Sequence, residues 1–439
     1  MTGLAISFLM FGVLVTLLVL SVPVAVALLI VGSAGYIMVS GWDPLLSYLS
    51  QAPYYQTATY SLSVIPLFVL MGQFASASGM SAGLFNAANA WLGHRRGGVA
   101  MAGVGACAAF GAICGSSLAT AATMAQVSLP EMKRFKYSGG LATGALAAGG
   151  TLGILIPPSV ILVIYAILTE QSIGKLFFSA MIPGAMAAVG YMLAVNIYCR
   201  IHPDAGPVGA KISWLEKIRA TLDVVPVAIV FVVVMGGIYG GFFTPTEGAA
   251  VGAASTGIIA IVKGGLRWSG FIECLLGTGK LTGMIFLILI GADLFNSFLA
   301  ITQMPTVAAN AIGNSGLSPM AILLLILLMY LALGCFMDSM SMILITIPVV
   351  FPIVMGLDFG MTPEQTAIWF GILALVVVEV GLITPPFGLN VFVINSLAPE
   401  VPLSESFRGV VPFLVSDFLR VALLIAFPVL TIGLLPLMN

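Results

Sequence analysis

Apolar residues run along this chain in stretches of about 20, each enough to carry a helix across the hydrocarbon core of a bilayer. Crossings are expected near residues 4–20, 22–39, 62–90, 140–168, 175–199, 224–243, 246–263, 281–301, 366–398 and 409–436. Some of these are long enough to tilt or to contain two pieces. Two further apolar regions, near 98–131 and 318–357, do not read as simple crossings.

The first region lies between two basic clusters, His94-Arg95-Arg96 and Lys133-Arg134 with Lys136. Basic loops favour the cytoplasm, and one crossing would put these clusters on opposite faces. Two full crossings need about 40 apolar residues and a turn, slightly more than is present. Its middle also carries the polar run Gly115-Ser116-Ser117. A re-entrant hairpin over 98–131, with both feet cytoplasmic and its tip near mid-membrane, satisfies these conditions. Irregular backbone at that depth is tolerated where protein or a cavity covers it. The second region centres on GCFMDSMSM, Gly334 to Met342, and its flanks contain no Lys or Arg. A hairpin over 318–357 therefore has its feet outside. The remaining basic loops, at 199–219, 263–268 and 404–409, fall inside when the crossings are counted, which puts the N-terminus outside.

An internal repeat emerges. With Pro23 placed on Pro245, Gly72 falls near Gly291, Ser116 near Ser339, and GILIPP (153–158) near GLITPP (381–386). The expected organisation is a first repeat at 1–199, a cytoplasmic linker at 200–223 and a second repeat of opposite orientation at 224–439. Within the linker, 211–222 could form a surface helix. Inverted repeats with discontinuous helices are a mark of secondary transporters, whose sites lie at the repeat interface near the midplane.

The helices at 140–168 and 366–398 each carry two adjacent prolines, four residues after a glycine. A proline removes the hydrogen bond to the carbonyl four residues earlier. Pro157 and Pro158 would free the Gly153 and Ile154 carbonyls; Pro385 and Pro386 would free those of Gly381 and Leu382. Freed carbonyls are hard oxygen donors suited to Na⁺, and the half-helix that follows presents uncovered N–H groups suited to an anion. The hairpin tips add Ser116, Ser117 and Thr120 on one side, and Asp338, Ser339 and Ser341 on the other. A single membrane proline is ordinarily a kink, and a single serine ordinarily bonds back to its own helix. Two matched Gly-x-x-x-Pro-Pro units, each facing a polar tip, point instead to two related cation sites around one substrate site. Asp338 reads either as an ion ligand or as the cap of the second hairpin arm. Asp293 and Glu379 are divided between ion binding and structural pairing, and Asn390 between reading substrate and packing helices.

Composition narrows the class. The chain of 439 residues is 60% hydrophobic and 7% charged, with mean hydropathy +1.16, against about 25% charged in a soluble domain. This excludes a soluble enzyme with an anchor and implies an all-α polytopic membrane protein. A net charge of −1 without a basic patch gives nucleic acid no footing. Cys107, Cys114, Cys199, Cys274 and Cys335 fit no zinc or disulfide spacing, and read as small apolar residues. The N-terminus lacks a basic region and a small-residue cleavage site, so it reads as the first membrane helix. No organic cofactor is expected.

The stretches GSSLATAATMAQVSLPEM, GTLGILIPPSVILVIYA, GGFFTPTEGAAVGA and GLITPPFGLNVFV, in this order, resemble the large membrane subunit of tripartite ATP-independent periplasmic (TRAP) transporters, the DctM type. The resemblance covers essentially the whole chain. It implies a sodium-driven importer of organic acids in the bacterial inner membrane. It also implies an elevator, in which both hairpins and both broken helices slide against a scaffold of the other helices. The partners it implies are a small four-helix membrane subunit and a soluble periplasmic binding protein, with this chain the unfused large subunit. By motif, the first sodium site would use oxygens around Cys114, Gly115, Ser116 and Thr120 with Gly153, Ile156 and Pro158. The second would use Met337 and Asp338 with Gly381 and Thr384. Thr120 stands where some relatives carry Asp, which weakens the charge of the first site. Substrate contacts are expected from Ser116, Ser117, Ser159, Ser339, Ser341, Pro386 and Asn390. No Lys or Arg lies in either tip or beside either Pro-Pro, so a carboxylate would be held by helix N-termini and hydroxyls. That admits C4-dicarboxylates, sialic acid, keto acids and sugar acids. The alternative is a stand-alone divalent-anion/sodium symporter. An intramembrane protease fails for want of a histidine at membrane depth, unless Asp293 and Asp338 meet, and a passive channel suits two inverted sites less well.

Overall fold

The computed structural model describes residues 3–20, 22–209, 211–313 and 316–438; the expected periplasmic N-terminus at Met1, and Asn314 in the foot of the second hairpin, lie outside them. The described chain is helical throughout. Seven helices are long and apolar enough to cross a membrane, eight if the first proline-broken pair counts as one span.

The first half begins with α1 (Gly3–Val19), α2 (Val24–Ser40), α3 (Trp42–Ala58), α4 (Val64–Ala77) and α5 (Met80–Leu92). The first hairpin follows as α6 (Gly98–Cys114) and α7 (Ser117–Arg134), then the first broken helix as α8 (Gly139–Leu155) and α9 (Val160–Leu168), and the long α10 (Ile173–Ile201). The second half runs α11 (Trp214–Tyr239), α12 (Pro245–Val262), α13 (Trp268–Ile301) and α14 (Met304–Gly313). Its hairpin is α15 (Pro319–Gly334) and α16 (Ser339–Met355), its broken helix α17 (Pro363–Gly381) and α18 (Leu389–Leu397), and it ends with α19 (Leu403–Ala426) and α20 (Val429–Ile432). The helices are thus interrupted inside both segments read as hairpins and at both Gly-x-x-x-Pro-Pro units.

Several boundaries differ. The crossing expected at 62–90 is two helices, α4 and α5, parted by Gly79 in the left-handed region at φ 72°. The stretch expected as a surface helix is the first part of α11, which continues through Pro226 without a break. The expected linker is accordingly shorter, since α10 reaches Ile201 and α11 begins at Trp214. The last crossing stops at Ala426 before Pro428, and α20 follows. Helix α3 was not expected. In the repeat, α3 and α4 together match the single 34-residue α13, which at 1.5 Å per residue is ~51 Å long and overruns a bilayer core of about 30 Å. Tyr48 of α3 donates a hydrogen bond to Asp293 of α13, and Ser297 donates to the Tyr48 hydroxyl at 3.1 Å. Asp293 therefore pairs structurally and does not meet Asp338.

Side-chain caps start the helices that matter. Ser116 caps α7, Ser159 caps α9 and Asp338 caps α16. These caps correct the repeat register by one residue at the tips: Ser116 matches Asp338, and Ser117 matches Ser339. Ladder bonds are lost at the breaks, and protein covers the exposed backbone. Residues 140–155 of α8 and 366–381 of α17 are buried on every side. Small residues bring the backbones into contact, as in other membrane helix packings. A Cβ on Gly111 of α6 would lie 2.4 Å from the Gly153 Cα, and one on Gly381 would lie 2.6 Å from the Gly334 Cα. Each hairpin therefore seats a glycine on the glycine that precedes the break in its partner helix.

That contact has a measurable cost if filled. A Cβ at Gly153 would lie 2.4 Å from Thr120 Oγ1 and 2.7 Å from the Ser116 carbonyl oxygen. Gly153→Ala should push the first hairpin off its break and destabilise the protein by about 1–3 kcal/mol, seen as a lower Tm in detergent. Gly279→Ala, inside α13 where nothing lies within 4 Å, should not lower Tm, since alanine is the better helix former.

Candidate functional site

The two hairpin tips come together. A cavity of about 370 Å³ is lined by Cys114, Gly115, Ser116 and Ser117 of the first tip and by Asp338, Ser339 and Met340 of the second. Ile154 and Leu382, one from each break, close it from behind, and α4 and α13 close it from the front. No Lys or Arg is among the described residues that line it. A larger hollow of about 690 Å³ lies elsewhere, beside the exposed Lys133–Glu400 ion pair, and none of the tip residues lines it.

The first tip folds back on the first break. Gly115 turns at φ 65°, and its missing Cβ leaves room for the Pro158 carbonyl oxygen, which would lie 3.1 Å from it. On the other side the Cys114 carbonyl oxygen faces Gly72 of α4. Pro157 and Pro158 occupy the positions whose N–H groups would have bonded Gly153 and Ile154. Among the described residues no other N–H takes their place. Thr120 is fully buried over Gly153, and its hydroxyl has no strong hydrogen-bond partner, only the Cys114 thiol beside it. Buried hydroxyls in proteins ordinarily have one. Carbonyl oxygens and a weakly paired hydroxyl at one point suit a small, hard cation. Ile156 caps α8 through its N–H to the Leu152 carbonyl.

The second break differs from expectation. The Gly381 carbonyl accepts a bond from the Thr384 N–H at 3.0 Å, and the Leu382 carbonyl accepts one from the Asn390 N–H at 3.1 Å. The seven-residue turn through Gly388 supplies donors that the prolines withhold. Each carbonyl keeps a second lone pair, so both can still ligate. Thr384 spends its hydroxyl on the Val380 carbonyl at 2.6 Å. Asp338 is a helix cap: one carboxylate oxygen accepts from the Ser341 N–H at 3.0 Å, the other from the Ser341 hydroxyl at 2.5 Å. Met337 donates its N–H to the Leu333 carbonyl. The second tip reaches its break through the Cys335 thiol, 3.5 Å from the Pro385 carbonyl, and through the Phe336–Phe387 ring pair.

Of the expected substrate contacts, Ser116, Ser117 and Ser339 line the cavity; Ser159, Ser341, Pro386 and Asn390 do not. Ser159 is occupied in capping α9 and Ser341 in bonding Asp338. Asn390 reaches back to α8, donating to the Ala147 carbonyl at 3.3 Å, and packs helices rather than facing the cavity. Sequence reasoning missed Gln73 and Ser76 of α4 and Leu281, Met284 and Ile285 of α13, which form the front wall. An amide inside the apolar run of α4 was the available signal for the first of these.

Residues 11–430 match the family model described as "Tripartite ATP-independent periplasmic transporter, DctM component". The chain is 40% identical over 357 residues, 81% of each chain, to the C4-dicarboxylate TRAP transporter large permease protein DctM of Pseudomonas aeruginosa. It is 31% identical over 96% of each chain to the sialic acid TRAP transporter large permease protein SiaM of Vibrio cholerae. Other relatives are named for isethionate and for ectoine. The solved YdaH transporter of Alcanivorax borkumensis shares the fold, with a TM-score of 0.62 at 14% identity over 92% of this chain and 97% of that one. With a match across nearly its whole length, two hairpins meeting two proline breaks, and relatives that are permeases and not enzymes, the chain belongs to the DctM family, the large membrane components of TRAP transporters.

Proposed function

We propose that the chain imports an organic anion across the bacterial inner membrane, driven by sodium, with the N-terminus periplasmic. Substrate arrives on a periplasmic binding protein, and a small four-helix membrane subunit completes the complex. The observation that carries this reading is the cavity shared by both tips, flanked by the weakly partnered Thr120 hydroxyl on Gly153 at one end and by Asp338 at the other. The oxygens of Cys114, Gly153, Ile156, Pro158 and Thr120 would hold one sodium ion, and Asp338 with the Gly381 and Thr384 carbonyls a second. Bound sodium would supply the positive charge that lets an anion sit beside Asp338.

The chain's own residues do the rest. The Ser116 hydroxyl and the Gln73 amide keep donors to offer an anion, whereas the Ser339 and Ser76 hydroxyls already donate to Glu379 and to the Gly72 carbonyl. Two like charges 4 Å apart repel by about 4 kcal/mol at a dielectric of 20, so Asp338 repels an anion until its charge is offset. Substrate affinity then rises with sodium, which is the linkage a symporter needs. The hairpins and broken helices move as one body past α4 and α13, carrying the cavity between faces. Relatives named for a C4-dicarboxylate and for sialic acid support a carboxylate as cargo. The name isethionate extends the class to a sulfonate.

Topology is tested by labelling single cysteines with an impermeant maleimide. Arg95→Cys and Lys133→Cys should react from the cytoplasm, and Ser318→Cys and Glu364→Cys from the periplasm. Either hairpin with its two ends on opposite faces would remove the re-entrant reading.

Transport is tested in proteoliposomes. Uptake should require a sodium gradient, the small subunit and loaded binding protein; full uptake of free substrate without the binding protein would favour a stand-alone symporter. Asp338→Asn preserves an acceptor for the Ser341 N–H, and Asn caps helices as well as Asp. The variant should fold, with its half-saturating sodium concentration raised by about tenfold or more for a loss of 1.4 kcal/mol. Unchanged sodium dependence would leave Asp338 a cap alone. Thr120→Ala should give a smaller rise, because a neutral hydroxyl contributes less than a carboxylate.

A further inference from the structure

Glu379 is buried in α17 with 1% of its surface exposed, two residues before the glycine of the second break. It does not line the cavity. It lies behind it, where the two tips converge. Its Oε1 accepts a hydrogen bond from the Ser339 hydroxyl of the second tip at 2.5 Å. The Ser117 hydroxyl of the first tip also lies against its carboxyl group. Ser117 and Ser339 are the matching residues of the two repeats, each the first residue of its hairpin's second arm. Beyond the Ser117 hydroxyl, Oε2 has no partner among the described residues. The nearby charges, Asp417 and Arg420, are paired with each other at 2.7 Å. One carboxyl group from one broken helix thus stands between two hydroxyls from two separate hairpins.

We propose that Glu379 is a positioning residue that holds the two hairpin tips at one fixed spacing, so that the cavity and both cation sites form together. Ser116 and Asp338 are the neighbours of Ser117 and Ser339 in the chain. A shift of either serine moves the residue that faces the cavity. Because Glu379 reaches both, displacement of one tip is resisted by the other. Sodium binding at one tip then favours the competent geometry at the other. This last step rests on the sodium reading above; the spacing itself does not.

The experiment has two arms. In the first, spin labels are placed by Ala119→Cys and Phe336→Cys, one on each tip, in a background where the five native cysteines are all buried. Dipolar broadening should be sharp and single-valued with Glu379 present. It should be spread over a range in Glu379→Ala, and restored in Glu379→Gln, whose amide can accept from Ser339 and donate to Ser117. Unchanged broadening in folded Glu379→Ala overturns the proposal.

In the second arm, sodium is titrated against the Tm of the purified protein. Glu379→Ala and Ser117→Ala should raise the half-saturating sodium concentration about fivefold or more, the lower end of ordinary coupling between sites, with Glu379→Gln close to the parent. A purely structural role lowers the sodium-free Tm and leaves the half-saturating concentration where it was, and that result also overturns the proposal. If the parent protein shows no sodium-dependent Tm, the sodium reading falls, and the spin-label arm decides the positioning role alone.

Discussion

A peptide group inside hydrocarbon has no water to bond, and leaving one unpaired costs several kcal/mol. Everything particular to this fold follows from breaking two helices there and then covering the breaks. The first break exposes the Gly153 and Ile154 carbonyls and the second loosens those around Gly381. Neither can face lipid. The protein surrounds α8 with α6, α7, α10 and α19, and surrounds α17 with α15, α16, α10 and α19. The two hairpins are therefore part of the cover, and their tips arrive at the breaks for that reason before any question of function.

Cover at such short range demands small residues, and the glycines stand where the helices touch. Gly111 lies on Gly153, Gly334 on Gly381, and Gly409 on Gly140. Close backbone packing fixes the tips relative to the breaks and leaves a cavity of bounded size between them. Bonds between the broken helices tighten the same body: the Tyr165 hydroxyl of α9 donates to the Ala367 carbonyl of α17 at 2.6 Å. Electrostatics then enters a space already shaped by packing. Asp338 is the sole carboxylate among the described residues that line it.

The sequence made the hairpins and breaks legible because their signals are local: paired prolines, a polar tip in an apolar run, basic clusters flanking one segment and absent from the other. It concealed α3, whose residues 42–58 mix tyrosines with polar groups and lack a continuous apolar run. It concealed the continuity of α11, because the change from polar to apolar residues near 223 looks like an end when only the backbone knows otherwise. Counting prolines overstated the free carbonyls at the second break, since the chain beyond Pro386 turns back through Gly388 and returns the Asn390 N–H to Leu382. The substrate list suffered likewise. Ser159, Ser341 and Asn390 are polar and close in sequence to a break or a tip, yet none lines the cavity: Ser159 caps α9, Ser341 bonds Asp338 and the Asn390 amide donates to Ala147. Glu379 could not be assigned from sequence because its partners, Ser117 and Ser339, come from two distant segments.

The repeat is matched in architecture but not in charge. Where one half caps its hairpin with the neutral Ser116, the other uses Asp338. A cavity built by two related halves would otherwise look the same from either end, and a small ligand could lie in it head-first or tail-first. The unequal caps give the chamber a direction. On the proposed reading, an anion entering it would meet a hydroxyl at one pole and, at the other, a carboxylate whose charge bound sodium offsets, so its two orientations would be unequal. A nearly symmetric frame would then hold an asymmetric cargo one way round.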